Sequence, residues 1–365
     1  MRVCLICVEI FAWGKYGGFG RATRLIGREL ARRGVEVVAV VPRRGNQQGV
    51  EYLDGIKVMG FKPGSFLSAI KLYKEADADI YHSEEPSLGT YLAMRAMPHR
   101  KHIVTFRDTR DLKDWLTEFT LPSLNLLQVM SNWLYEDNWL VHRAVRFADA
   151  RCVAARLLIP KARTKYHLET NPIFLPTPMI IPAEVKKADQ PTVCFVSRWD
   201  RRKRPEIFFE LAKEFPQVHF VAAGKSRDQA WDSYLRSKYG SIPNIEMVGF
   251  IDQFQSDELW RLLGKSWILI NTSIREGLPN AFLEAAAHRC AILSAVDPDG
   301  FASQFGYHAS RDDFSTGLET LLHNDLWRVR AQQGYEIVKK NFASDIAIDQ
   351  HLEVYRQVSN MPFIE

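Results

Sequence analysis

The chain has 365 residues, 46% of them apolar and 25% charged, with a formal net charge of +5. That is enough apolar material for two ordinary domains or one large one, and it argues against disorder. The weak basic excess is mixed with acids along the chain, which argues against a nucleic-acid arm but is compatible with an anionic ligand or membrane surface.

The first apolar run, "RVCLICV", reads as a strand. Its Cys4 and Cys7 have CxxC spacing, but residues three apart on a strand face opposite ways, so core packing is the favoured reading over a metal site. The five cysteines, an odd number, fit a reducing cytosol. The run leads into "WGKYGGFGR" rather than a small-residue cleavage site, so a signal peptide is not expected, and no stretch is long enough to span a bilayer. After the glycine-rich turn, Ala22, Leu25, Ile26 and Leu30 mark one helical face, and Gly34 ends the helix. "VEVVAVV", "IKVMGF", "ADIYHS", "KHIVTF" and "DARCVAA" are further strands. Continuous apolar strands separated by helices imply a parallel sheet covered on both faces. Leu121 to Val145 carries Trp133, Trp139 and several leucines in a helical pattern. An interfacial helix is one reading of it; a helix facing the core is the preferred one.

From Pro172 to Pro191 the texture changes to a proline-rich linker. The alternation then restarts with "TVCFVS", a helix over "RPEIFFELAKEF", "VHFVAAG", "NIEMVGF", "WILINT", a helix from about Asn280 to His288, and "CAILSA". Helices close the chain from about Asp312. The expected division is residues 1–175, a linker at 176–191, a second domain at 192–342, and a final helix at 343–365 that crosses back to the first domain. Two such halves imply a cleft, with ligands beyond the carboxyl ends of the strands.

Three strand ends invite chemistry. In "SIREGLPNAFLEAAAHRCAIL", Glu276 lies in the loop after a strand and Glu284 on the following helix. Pro279 suits a first helical turn, and the free backbone N–H groups around Gly277 to Asn280 make an anion seat. Carboxylates repel phosphate but accept from hydroxyls, so a ligand with hydroxyls on both sides of a diphosphate, a nucleotide-sugar, explains the pair. A capping Glu276 and a solvated Glu284 is the alternative. In "FVSRWDRRKRPEIF", Ser197 and Arg198 end a strand and Lys203 precedes a helix. Two cations there can neutralise a diphosphate, or form a merely solvated basic turn. The third place is "GKYGGFGR", where Gly17 and Gly18 form a turn able to close over phosphate. It lacks the full dinucleotide fingerprint. Pro42, Arg43 and Arg44 stand where an acid would hold a ribose, so a nicotinamide cofactor is weakly supported, NADP being the form that suits a basic strand end.

These residues resemble retaining glycosyltransferases of family four, with the GT-B fold, along nearly the whole chain. The resemblance is carried by E-x(7)-E in "EGLPNAFLE", by "SRWDRRK" and by "GGFGRATRLIGRELARRGVEVVAV". It implies two Rossmann-like parallel-sheet domains facing each other across a cleft, an acceptor-side first domain and a donor-side second one. Glu276 would hold the donor sugar, Glu284 the ribose, and Arg198 and Lys203 the departing diphosphate, with Gly277, Leu278 and Pro279 lining the site. No metal or other cofactor is implied. The partners would be a nucleotide-sugar donor and a glycan, glycolipid or small-molecule acceptor, in the cytoplasm or at the inner face of the membrane. Two departures stand out. His288, Arg289 and Cys290 replace the usual small residue or glycine. In "TFRDTRD", Arg107 replaces a histidine, and arginine cannot act as a base. Arg107, Asp108, Asp111 and His82 are therefore candidates for acceptor contacts, and a binding protein that has lost transfer is an alternative function, as is an NADP-dependent oxidoreductase.

Overall fold

The computed structural model describes residues 1–14, 16–121 and 125–361. The chain divides into two compact units: Met1–Trp115 with Leu126–Pro178 and Ser344–Glu365, and Leu116–Asn125 with Met179–Ala343.

The first unit is built on eight strands: β1 (Arg2–Ile6), β2 (Glu36–Pro42), β3 (Val50–Leu53), β4 (Ile56–Phe61), β5 (Ile80–Ser83), β6 (Lys101–Phe106), β7 (Ala150–Val153) and β8 (Ile173–Phe174). They lie in the order β3-β4-β2-β1-β5-β6-β7-β8, parallel throughout except for β3 against β4. The interleaved helices are α1 (Gly18–Arg32), α2 (Phe66–Ala76), α3 (Leu88–Ala96), α4 (Leu112–Thr120), α5 (Leu126–Glu136), α6 (Trp139–Phe147) and α7 (Leu158–Tyr166), α4 running on into the second unit. Strands buried on both faces carry runs such as Val37 to Val41, all within 2% of full burial, which is why they read as continuous apolar segments. The antiparallel β3 is not anticipated by that pattern. Its signal is the Asp54–Gly55 turn, both residues at positive φ (52° and 85°), which folds β3 back on β4 as a hairpin.

The second unit holds six parallel strands: β9 (Thr192–Val196), β10 (His219–Ala223), β11 (Ile245–Gly249), β12 (Ile268–Asn271), β13 (Ala291–Ser294) and β14 (Gly306–His308), in the order β11-β10-β9-β12-β13-β14. Its helices are α8 (Pro205–Glu214), α9 (Gln229–Tyr239), α10 (Glu258–Lys265), α11 (Asn280–Ala287), α12 (Phe301–Phe305), α13 (Phe314–Leu322) and α14 (Leu326–Phe342). Its core is unusually aromatic: Phe195, Trp199, Phe208, Phe209, Phe220, Trp267 and Trp327 are all buried. Each such side chain removes roughly 150–250 Å² from water, so a few of them dominate the unit's stability. All five cysteines are buried and unbridged, as core residues should be.

The final helix, α15 (Ser344–Ser359), belongs to the first unit. Ile348, Val354, Tyr355 and Val358 enter the core formed by β1, β2 and β4. A polar contact fixes its register. The ring of His82, on β5, meets the Tyr355 hydroxyl at 2.8 Å and the Thr105 hydroxyl at 2.7 Å. His351 packs beside it, ring to ring at 6.2 Å.

One expectation is overturned. The stretch from Leu121 to Val145 is not one core helix: α6 buries Val141, Ala144 and Val145, but α5 does not face the core. The stretch is broken at Asp137–Asn138, and α5 buries only Val129. Leu126, Leu127, Met130, Leu134 and Trp139 are all exposed. The helical period is real, but on α5 the apolar side it marks is exposed, and periodicity alone does not say which side is outward. Residues 122–124 of that stretch lie outside the described residues. Among the described residues no helix is long and apolar enough to cross a membrane.

Two outcomes follow for the packing of α15. Tyr355→Phe leaves a buried imidazole nitrogen short of a partner and should lower the free energy of unfolding by about 1–3 kcal/mol in urea titration; an unchanged midpoint would show that α15 is held by apolar contact alone. Burial, with His82 alongside, pushes the His351 imidazole down to about 4 from an ordinary 6.5. The folded state therefore disfavours its protonation. Its contribution is complete above pH 6.5 and declines as the pH falls towards 4. Melting temperatures across that window should fall less steeply in His351→Leu than in the parent, and parallel curves would rule this contribution out.

Candidate functional site

In the second unit the loops after β9 and β12 are sewn together. Beyond β9, Ser197 and Arg198 lead to a short turn of helix over Arg201–Lys203, and Arg204 sits in the left-handed region at φ 46° ahead of Pro205. The Thr272 hydroxyl donates to the carbonyls of Lys203 and Arg204, and the Arg204 guanidinium donates to the Thr272 carbonyl at 2.7 Å. The Ile274 amide donates to the Arg202 carbonyl at 3.2 Å, and Arg204 also forks onto Asp312 at 2.7 and 2.8 Å. These bonds bring two of the expected residues together: the Lys203 ammonium forms an ion pair with Glu276. Arg198 meets the buried Asp200 at 3.1 Å. Gly224, at the end of β10, is needed for this geometry. A Cβ there would lie 1.8 Å from the Ser197 carbonyl oxygen.

Glu276 to Pro279 form a half-buried loop leading into α11, which Asn280 opens. Pro279 stands at the N-cap rather than inside the helix, with φ −64° and ψ 132°; its own side chain makes no cap bond and the first turn holds no acid. A helix start without an acid in its first turn suits an anion. Along α11, Ala281 to Leu283 and Ala285 to Ala287 are buried, while Glu284 is half-buried. A solvated helix face therefore does not describe its surroundings. The helix ends at Ala287. His288 donates from Nδ1 to the Glu284 carbonyl at 2.7 Å, and burial pushes its pKa down to about 4. Arg289 takes the left-handed conformation (φ 56°) that glycine usually fills, with its guanidinium over the Tyr335 ring at 4.4 Å.

The first unit presents a different picture at its strand ends. Gly17 caps α1, but the start of that helix holds the chain's own carboxylate: Glu9 accepts from the Gly20 amide at 3.2 Å, and a Cβ on Gly17 would fall 1.9 Å from it. Gly18 opens the same helix. Arg107 is buried and turned inward. Its guanidinium pairs with Glu84 and donates to the Thr177 hydroxyl at 2.9 Å. Burial pushes the Glu84 carboxyl up, but the charge and hydrogen bond of Arg107, joined by His82 and His351, together hold it below the usual range. His82 is fully buried against Thr105 and Tyr355, so it meets no solvent. Asp111 caps the start of α4, accepting from the Asp114 amide at 2.9 Å. Asp108 is half-buried beside Arg110 at 3.4 Å.

Glu85, whose chemistry the strand pattern does not mark, sits among these groups. It accepts from the amides of Arg107 (2.6 Å) and Asp108 (3.0 Å), yet burial, reinforced by Asp108 and Glu136, pushes its carboxyl up to about 8. The only signal in the sequence is the paired acids of "SEEP" directly after a strand. Among the described residues no group of three or more His, Cys, Asp or Glu side chains is placed to hold a metal ion.

Comparison with known proteins agrees along both units. Residues 178–335 match the family Glycosyl transferases group 1, and residues 16–158 match Glycosyltransferase Family 4. No curated protein matches in sequence. Similar solved structures include sucrose-phosphate synthase from Thermosynechococcus elongatus, 17% identical with a TM-score of 0.76 over 98% of each chain. Anabaena HepE, solved with UDP-glucose, is 14% identical with a TM-score of 0.69 over 97% of this chain and 99% of its own. A mutant of S. aureus TarM, solved with fondaparinux, α-GlcNAc-glycerol and UDP, is 10% identical with a TM-score of 0.70 over 99% of this chain and 100% of its own. The chain belongs to the group 1 glycosyltransferases and has the GT-B fold.

Proposed function

We propose that the protein transfers a sugar from a nucleotide-sugar to an acceptor hydroxyl with retention at the anomeric carbon and without a metal. The observation that carries this reading is the pairing of Lys203 with Glu276, in the loop that leads into the start of α11. One place thereby offers a cation and helix N–H groups for phosphate and a carboxylate for hydroxyls.

In this reading the backbone from Gly277 to Asn280 and the side chains of Arg198 and Lys203 take the diphosphate. Lys203 then exchanges Glu276 for a phosphate oxygen, which frees Glu276 to accept from the sugar hydroxyls. Glu284 accepts from the ribose, and Ser197 lines the same strand end. The anomeric C–O bond to phosphate breaks as the acceptor oxygen arrives on the same face, and the acceptor's proton passes to the departing phosphate oxygen. Positive charge fixed in place before reaction stabilises the developing diphosphate, the part a divalent ion plays elsewhere. The diphosphate is assigned to this unit rather than to Gly17 and Gly18, because Glu9 fills the α1 start and would have to leave first. The acceptor is a glycan or a lipid-linked molecule meeting the loops around Asp108 and Glu85. Arg107 takes part indirectly, by positioning Glu85 through its backbone amide. Family membership displaces the oxidoreductase reading.

UDP-glucose, the ligand of Anabaena HepE, is the first donor to try. Nucleoside diphosphates and nucleotide-sugars in the presence of EDTA should raise the melting temperature; a shift that needs added magnesium would refute metal independence. Glu276→Gln should reduce transfer at least about a hundredfold at an unchanged melting temperature, judged against losses of 10²–10³ for a single stabilising contact. Near-normal turnover would remove the donor-sugar role. Lys203→Ala should weaken nucleoside diphosphate binding about tenfold in calorimetry, as expected for one charged hydrogen bond. A parent protein that binds donor yet shows neither transfer nor hydrolysis would be a binding protein instead.

A further inference from the structure

The helices α5 and α6 follow one another with only Asp137 and Asn138 between them. Asn138 holds the corner. Its amide nitrogen donates to the Leu134 carbonyl at 2.9 Å, and its side-chain oxygen accepts from the Leu140 and Val141 amides at 2.9 and 3.2 Å. On α5, Leu127, Met130 and Leu134 recur at helical spacing and are all exposed, Leu127 at 80%. On α6, Trp139, Arg143, Arg146 and Phe147 do the same, Trp139 at 70%, with the Arg143 guanidinium over the Phe147 ring at 5.3 Å.

The acids of this corner are paired elsewhere. Glu136 pairs with Arg110 at 2.9 Å, and Asp137 pairs with His142 and Lys165, each at 2.8 Å. The outward face is therefore apolar and cationic. We propose that it docks the protein on an anionic lipid bilayer, with both helices lying in the headgroup region. Leu127, Met130 and Leu134 would enter the acyl boundary, Trp139 would sit at headgroup level, and Arg143 and Arg146 would meet lipid phosphates.

Charge decides between a bilayer and a second copy of the chain. An isologous contact would set these arginines against the same positive face, with no acid of α5 or α6 turned outward to receive them. An anionic membrane supplies that charge. The placement also has a use. Tyr135 of α5 hydrogen-bonds the Ser87 side chain and the Gly89 backbone, while Glu136 holds Arg110. The face thus hangs from the loops that follow β5 and β6, where the acceptor is proposed to bind, and docking would bring those loops to a lipid-linked acceptor.

The test is flotation of the full chain, without donor, on phosphatidylcholine vesicles with and without phosphatidylglycerol. The protein should float with the anionic vesicles and far less with the neutral ones. Arg143→Ala with Arg146→Ala should weaken the anionic partition about thirtyfold, two charges' worth of surface attraction, and raised salt should do the same to the parent. Leu127→Ser, Met130→Ser and Leu134→Ser together should abolish flotation. Melting temperatures should stay at the parent value, since all five positions are exposed. A parent that floats with neither vesicle, or variants that float as well as the parent, would overturn the proposal. So would a concentration-dependent dimer dissolved by the serine substitutions without any vesicle binding, which would give the face to a second copy. With no donor present, failure here leaves the transfer reaction untouched.

Discussion

The second unit's site depends on a single stitch. Thr272 and Arg204 exchange backbone and side-chain hydrogen bonds between the loops after β12 and β9, and that exchange holds Lys203 against Glu276. Neither loop would have to adopt its course alone. A lysine and a glutamate seventy-odd residues apart pay desolvation to meet at a half-buried place, and such pairs add little net stability. Their worth lies in arrangement. A cation and an acid kept in mutual reach are ready to be re-partnered by a ligand that carries both phosphate and hydroxyls.

The first unit uses the same kind of pair differently. Arg107 and Glu84 are almost wholly buried and are joined to Thr177. Their bonds are directed inward, so this pair reads as scaffolding where Lys203 and Glu276 read as machinery. One step outward lies Glu85, whose two backbone donors favour the charged form while burial and neighbouring acids oppose it. A carboxyl balanced in that way changes its protonation with small changes around it. At α1 the Glu9 carboxylate occupies the helix start, so the two units differ in what their helix termini are prepared to accept.

Much of this was legible from residue order. Fully buried parallel strands are the clearest signal a sequence gives, and the runs ending at Phe106, Val196 and Asn271 were all readable as strands whose far ends carry polar loops. Glu276 stood out as an acid in the loop just past a strand, and Glu284 because its neighbours are apolar. Less was legible where meaning depends on distant partners. Nothing local says that His82 points into the core at Tyr355, since the two are 273 residues apart. Nor does the glycine cluster at Gly17 disclose that Glu9 fills the space beside it. The amphipathic pattern around Trp133 and Trp139 gave the right period, but of its two helices α6 buries Val141, Ala144 and Val145 while α5 leaves its leucines exposed, because the direction of burial is set by what the sheet has left uncovered.

The return of α15 to the first unit has a consequence for synthesis. The sheet that begins with Arg2 receives Ile348, Tyr355 and Val358 into its core only after more than three hundred intervening residues have been made. Residues 179–343 are complete before that. On a ribosome, where domains generally fold as they emerge, the later-encoded unit can therefore finish first, while the earlier one waits with an apolar groove beside β1 and β2. The nascent chain must keep that groove from aggregation for the time it takes to translate everything in between.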